Sequence, residues 1–282
     1  MHISVMSNEV MSIFKPKKGE VFIDATFGRG GHTKLMLNAQ ANVMAVDRDI
    51  DAVQYAYDTI FSNQFIIRHC LFSELYDVWK SVAAQNSQYS KVTGVLFDVG
   101  LSSNQISDAS RGFSFMKDGP LDMRMGCNER SALHIIQNYS KLELANLIYR
   151  YGEEGRSRLI ANLIVNNRFN LKTTKNLADL LAKNLPSGKI HAATKVFQAL
   201  RIAVNNELGE LENGLINACR ILQRGGLLVV ITFHSLEDRI VKQFFKRHSL
   251  AYTKKLPISP SKQEILQNRR ARSAKLRWAI VT

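Results

Sequence analysis

The sequence predicts an α/β fold, a doubly wound sheet of mostly parallel strands interrupted by a helical insertion. Three observations carry this. Short β-rich runs alternate with helical patterns over the first part of the chain; residues 108–205 hold helical patterns and no convincing strand; and a buried strand returns in LQRGGLLVVITFHS. Alternation of this kind implies parallel pairing, because each crossover returns the chain to the same edge of the sheet.

In order, residues 21–24, 42–47, 65–69 and 94–98 are the strand candidates of the first part, short runs bounded by turn signals. Between them HTKLMLNA and DIDAVQYAYDTIF repeat apolar side chains at the spacing of amphipathic helices, as right-handed crossovers require. The segment DASRGFSFMKDGPLDMRMGCNER, residues 108–130, mixes glycine, methionine and charge without a period and predicts a long loop. SKLELANLIYRYG then opens on a capping box of Ser140 and Glu143 and stops near Gly152, while TTKNLADLLAKNLP begins with threonine caps and ends before Pro186. In LQRGGLLVVITFHS a Gly-Gly turn feeds the returning strand, and SLEDRIVKQFFKRH is the helix after it. AYTKKLP and LRWAIVT predict a closing hairpin at the sheet edge, with the basic SPSKQEILQNRRARSAK between them as a mobile arm. The expected division is residues 1–107 as the first part of the core, 108–205 as the insertion and 206–282 as the second part.

Composition narrows the partner class. With 45% hydrophobic residues the chain can bury a core. Its longest apolar run, residues 227–233, is far too short to span a bilayer, and no signal-peptide progression opens the chain. A cytoplasmic protein without membrane partners is expected. The three cysteines, Cys70, Cys127 and Cys219, are scattered, and neither they nor the seven histidines form a metal-binding pattern; no metal is expected. The 38 Lys and Arg against 24 Asp and Glu leave a formal charge of +14, which gathers polyanions and points to nucleic acid, against the alternative of an unspecific basic surface.

The stretch VFIDATFGRGGHTKLML sets an apolar strand against a glycine-rich turn and a helix. Gly28, Gly30 and Gly31 leave the backbone bare for a ligand to approach. Thr33 stands where a dinucleotide fingerprint would have its third glycine, which removes the best support for a pyrophosphate. Asp47 ends the next strand, where a carboxylate takes both hydroxyls of a ribose. A ribose without pyrophosphate points to an adenosine ligand such as S-adenosylmethionine. Two further strand ends, HCLFSEL and DVGLSSNQ, fit the same pocket: Phe72 would lie on the adenine and Asp98 would accept from the ligand's amino groups, against readings of a core aromatic and a turn carboxylate.

The strings TFGRGGHT, DVGLSSNQ, RGFSFMKDGPLDMRM, TFHSLEDRIVK and RARSAKLR resemble the MraW (RsmH) family, nearly end to end. The resemblance implies a Rossmann-like class I S-adenosylmethionine-dependent core. It also implies methylation of N4 of a cytosine in the decoding region of 16S ribosomal RNA, with the insertion recognising the substrate. It implies that Gly30, Gly31, His32, Asp47, Phe72, Asp98 and Gln105 bind the cofactor. Two departures are visible: Asn104 stands where the family usually has a proline, and Cys70 where relatives can have glycine.

For the chemistry, Asp98 and the carbonyls of VGLSS would accept from the amine hydrogens and favour the pyramidal nitrogen that attack requires. Ser102 and Ser103 would bond the base, or simply form the turn. Arg111, Phe113, Phe115, Met116, Asp122 and Arg124 combine stacking faces with charged groups, suited to a splayed-out base and its phosphates; the alternative is a lid packed on the core. His234 would face the same cleft or be a structural histidine. Arg269, Arg270, Arg272, Lys275 and Arg277 form a candidate phosphate grip or a solvated run, and Lys172, Lys175, Lys183 and Lys189 add charge to the insertion. The expected partner is 16S rRNA, within the small ribosomal subunit, and a homodimer is compatible with the sequence. A DNA amino-methyltransferase and a noncatalytic RNA-binding assembly factor remain as alternatives.

Overall fold

The computed structural model describes residues 4–126, 128–186, 191–248, 250 and 256–282. The chain divides into two compact units, Met1–Gly100 with Leu208–Thr282, and Leu101–Glu207. The first contains α1 (Ser7–Phe14), β1 (Val21–Asp24), α2 (Gly31–Asn38), β2 (Asn42–Asp47), α3 (Ile50–Thr59), β3 (Phe65–His69), α4 (Leu75–Gln85) and β4 (Val92–Asp98). The second contains α5 (Ser103–Ser107), α6 (Ala132–Asn138), α7 (Lys141–Gly152), α8 (Ser157–Asn167), α9 (Thr174–Asn184) and α10 (Thr194–Asn205). The chain returns to the first through α11 (Glu207–Ile221), β5 (Leu222–Thr232), α12 (Ser235–Arg247), α13 (Lys262–Gln267) and β6 (Lys275–Ile280).

The six strands form one sheet in the order β3-β2-β1-β4-β5-β6. Five are parallel, and β6 pairs antiparallel with β5. Side chains alternate between two covered faces, so the strands read as continuous apolar runs. Val21, Ile23, Met44, Val46, Leu228 and Val230 enter one core with α4, α11 and α12. Phe22, Val43, Val229 and Ile231 enter the other with α1 and α2. Phe22 is fully buried against Phe14, ring centroids 4.9 Å apart; truncating it to alanine would cost about 3–5 kcal/mol.

Three expectations change. The Gly-Gly pair is no turn before β5: the strand runs through it, with Gly225 at φ +86° and the register shifting between Val92 and Gly94, a bulge that a glycine accommodates. LRWAIVT is an edge strand paired with β5 and bridged at Leu276 by Ile258; the other proposed hairpin arm, AYTKKLP, lies mostly outside the described residues. The basic segment is not a loose arm. Ser261 caps α13 and Asn268 caps a 3-10 turn over Arg269–Ser273, and Ala271 and Ala274 insert between its charges into the core shared with Val5 and Phe14.

In the second unit α6 to α10 surround Leu144, Ile148, Ile160, Leu177 and Leu200. The capping box of Ser140 and Glu143 starts α7, and Thr173 caps α9 through the Asn176 N–H. Residues 108–130 lack long elements, as expected, but much of the segment belongs to this core. Leu121, Met123 and Met125 are buried, the Asn205 amide donates to the Met123 carbonyl at 2.7 Å, and its oxygen accepts from Met125 N–H at 2.9 Å. Cys127 and Lys189 lie outside the described residues.

Candidate functional site

The ends of β1, β2 and β4 bring Asp24, Asp47 and Asp98 to one edge of the sheet, with the glycine turn crossing from β1 to α2. That turn is tied to β2 twice: Phe27 N–H donates to the Val46 carbonyl at 3.1 Å, and Gly28 N–H donates to Asp47 Oδ2 at 2.8 Å. Its glycines serve different ends. Gly28 sits at φ +56°, and a Cβ there would meet only the Thr26 carbonyl at 3.9 Å, so its α-carbon faces open space. At Gly30 (φ +70°) a Cβ would come within 2.7 Å of the Phe27 ring, and at Gly31 it would collide with Ser4 Oγ. At Gly30 and Gly31 a side chain is thus excluded by protein packing, whereas Gly28 faces open space.

Asp47 is organised from both sides, accepting from Gly28 N–H with Oδ2 and from Asp49 N–H with Oδ1 at 2.9 Å. Burial nevertheless pushes its pKa up to about 6, those two hydrogen bonds only partly opposing the rise. Asp24 is 1% exposed and accepts from Thr33 Oγ1 at 2.7 Å and Thr26 N–H at 3.2 Å; burial raises its pKa, against the pull of His32. Thr26 Oγ1 in turn accepts from Asp98 N–H at 2.7 Å. His32, 4% exposed, places Nε2 3.5 Å from Asp98 Oδ2, a charge contact without hydrogen-bond geometry. Burial disfavours its charge most, yet the carboxylates of Asp98, Asp24 and Glu264 together outweigh that and raise its pKa. His32 Nδ1 and Asp98 Oδ1 are buried without a hydrogen-bond partner among the described residues, a costly state that a polar ligand would relieve.

Phe72 opens a 3-10 turn (Phe72–Glu74) after β3, half-buried, with its ring edge-on to Phe97 at 5.1 Å. The turn is latched to α11: Asn217 Nδ2 donates to the carbonyls of Phe72 and Ser73, each at 2.9 Å, and Ser73 N–H donates to Glu210 at 3.0 Å. Cys70 is buried beside it, its thiol pushed up to about 12 by burial, so it is an inert packing group.

The remaining candidates belong to the second unit, His234 and the cations of residues 269–277 excepted. Ser102 caps α5 by accepting from Gln105 N–H at 3.2 Å, and Gln105 Oε1 accepts from Ser102 N–H at 3.0 Å. Ser102 thus forms the turn, Ser103 is the first residue of α5, and the side-chain oxygen of Gln105, a residue expected at the cofactor, is held by this box. Asn104 follows at the second helical position, where the backbone N–H has no partner within the helix, so the missing proline costs little. Phe113 is a core side chain rather than a stacking face, 8% exposed. Phe115 packs on His191 at 4.6 Å and Phe197 at 5.0 Å, while Met116 is exposed. Asp122 grips Arg124 with two hydrogen bonds of 2.8 Å, and the Arg111 guanidinium donates to the Arg124 carbonyl at 3.1 Å. This loop holds itself together. His234 is the N-cap of α12, its Nδ1 3.4 Å from Glu237 N–H and its Nε2 2.9 Å from Glu237 Oε1, which favours the structural reading. Arg277 is not available for phosphate, being buried and paired with Asp238 at 2.7 Å.

The sequence reading missed Thr26 and Thr33, which organise Asp98 and Asp24, and the latch from Glu210 and Asn217. An acid closing the apolar run at Asp24 was the available sign of the first; nothing local to α11 marks the second.

Among relatives, the chain is 42% identical over 306 residues to ribosomal RNA small subunit methyltransferase H of Caulobacter vibrioides (strain NA1000 / CB15N), covering 100% of this chain and 96% of that protein. It is 44% identical over 301 residues to the protein of the same name from Rhodopseudomonas palustris (strain BisA53), covering 98% and 89%. A solved rRNA methylase from Streptococcus thermophilus aligns over 100% of this chain and 98% of its own, with 10% identity and a TM-score of 0.44. The MraW methylase family model matches residues 1–281, and the chain belongs to that family.

Proposed function

We propose that this protein transfers a methyl group from S-adenosylmethionine to N4 of a cytosine in the decoding region of 16S rRNA in the small ribosomal subunit. Family membership and the relatives' names support methylation of small-subunit rRNA; the cytosine N4 is the reading of the resemblance described above. The observation that carries the cofactor is the strand-end edge, where Asp47 is preorganised and His32 Nδ1 and Asp98 Oδ1 lack partners among the described residues.

When bound, the cofactor supplies an electrophilic methyl on a sulfonium, so the protein's task is chiefly alignment in a dry site. Asp47 accepts from the ribose hydroxyls with the lone pairs left free by Gly28 and Asp49. Phe72 offers its exposed face to the adenine, and its latch to α11 fixes the ring's height. Gly28 admits the ligand to the backbone. His32 and Asp98 meet the amino-acid end, where a cation and an anion are both needed. Asp98 and the carbonyls that follow it accept from the N4 hydrogens. One of those protons would pass to water as the methyl moves from sulfur to nitrogen. The helical unit of residues 101–207 recognises the RNA, with Lys172, Lys175 and Lys183 adding charge.

Small subunits from cells lacking this enzyme, incubated with the protein and labelled cofactor and then digested to nucleosides, are expected to yield N4-methylcytidine. A ring-carbon or ribose methyl would contradict the proposal.

A further inference from the structure

We propose that the turn Arg269–Ser273 is a rigid platform on the catalytic edge of the first unit, whose Arg269 and Arg272 guanidinium groups bind phosphodiester oxygens of the substrate RNA. This rests on the RNA reading above and adds a site to it.

The platform is held from below. Ala271 and Ala274 are buried in the core with Val5, Met6 and Phe14, and the Asn268 side chain accepts from Arg270 N–H at 3.2 Å to fix the turn. Arg269 and Arg272 flank Ala271 and are exposed, and neither has a hydrogen bond or ion pair among the described residues. Arg277, six positions after Ala271, shows the other outcome, buried and paired with Asp238. Over residues 259–275 five cations stand against one acid, Glu264, and that acid is occupied by Met6 N–H at 2.6 Å. A pair of cations on a held backbone, without internal counter-ions, offers its charge to a phosphate strand without first breaking an internal pair.

Its place in the fold is specific. Lys275 is in register with Thr232, the last residue of β5, so the turn enters the sheet at the edge where the parallel strands end. Met6, held by Glu264, lies two residues from Ser4, whose hydroxyl lies against Gly31, and the Glu264 charge reaches His32. The arginines therefore belong to the same side as the glycine turn, within the same compact unit.

Binding of in vitro transcribed 16S rRNA to the full chain, measured between about 50 and 200 mM KCl, tests this. Arg269→Ala/Arg272→Ala should flatten the plot of log affinity against log salt by about 1.5 and weaken binding on the order of tenfold, two phosphate contacts having been lost. Arg269→Lys/Arg272→Lys should keep the wild-type steepness, and both variants should keep wild-type affinity for S-adenosylhomocysteine, which shows the fold intact. An unchanged slope in the alanine pair, or an equal loss in the lysine pair, overturns the platform alone. Absence of salt-dependent RNA binding by the wild type overturns both the platform and the RNA reading.

Discussion

At the scale of single residues, Asp47 links stability, pH and ligand. Its carboxyl is neutral more readily in the fold than in the unfolded chain, with pKa raised from 3.8 to about 6. Ionising it therefore costs folding free energy as pH rises through that window. A ribose donates to the carboxylate and favours the opposite form. Affinity for S-adenosylhomocysteine should accordingly fall as pH drops below about 6, and Asp47→Asn should weaken binding at pH 8 by about tenfold to a hundredfold and remove the break, as titration calorimetry across pH would show. The glycines separate in the same spirit. Gly30→Ala combines a positive φ with a clash against Phe27 and should lower urea stability by about 2–4 kcal/mol. Gly28→Ala faces open space and should lose only about 1 kcal/mol, while losing far more cofactor affinity. Equal affinity losses in the two variants would remove the distinction drawn between them.

At the scale of elements, His234 is the N-cap of α12. His234→Ala should destabilise the protein by about 1 kcal/mol, and His234→Asn, a good cap, should restore both stability and methyl transfer. Rescue of stability without rescue of activity, read from melting and from kcat at saturating cofactor, would return His234 to the substrate. Elements were the most legible level of the sequence. β1, β2 and β3 occupy the expected residues, because short apolar runs between turn signals leave little choice of bounds. β5 was misread at its start because a bulge glycine and a turn glycine look alike in one dimension. The basic segment was misread because two alanines among five cations barely register as an apolar pattern, yet each fills a small site in a core built by α1. In DMRM the alternation of Met123 and Met125 with charged residues was a visible sign of burial. Met123 nevertheless sits at φ +61°, so the alternation builds no strand there. The candidate carboxylates were legible as strand-end acids, whereas Thr26 and Thr33, which bond them, and Glu210 and Asn217, which hold the Phe72 turn, were not, since the fold alone brings them together.

At the scale of the whole molecule, charge and division of labour go together. A chain of formal charge +14 that binds RNA through phosphates should lose affinity steeply with salt, while affinity for a cofactor held by the buried groups proposed above should change little over the same range. No helix among the described residues is long and apolar enough to cross a membrane. The second unit has its own core, so the capping change Thr173→Ala should cost about 1 kcal/mol of stability there and leave cofactor affinity untouched; calorimetry with S-adenosylhomocysteine beside thermal melting would check both. The most direct measurement is a crystal structure of the protein with S-adenosylhomocysteine. The account predicts the ribose hydroxyls on Asp47, the adenine against Phe72 and the amino-acid end at His32 Nδ1 and Asp98 Oδ1. A ligand seated away from the ends of β1, β2 and β4, or His32 and Asp98 left without it, would contradict it.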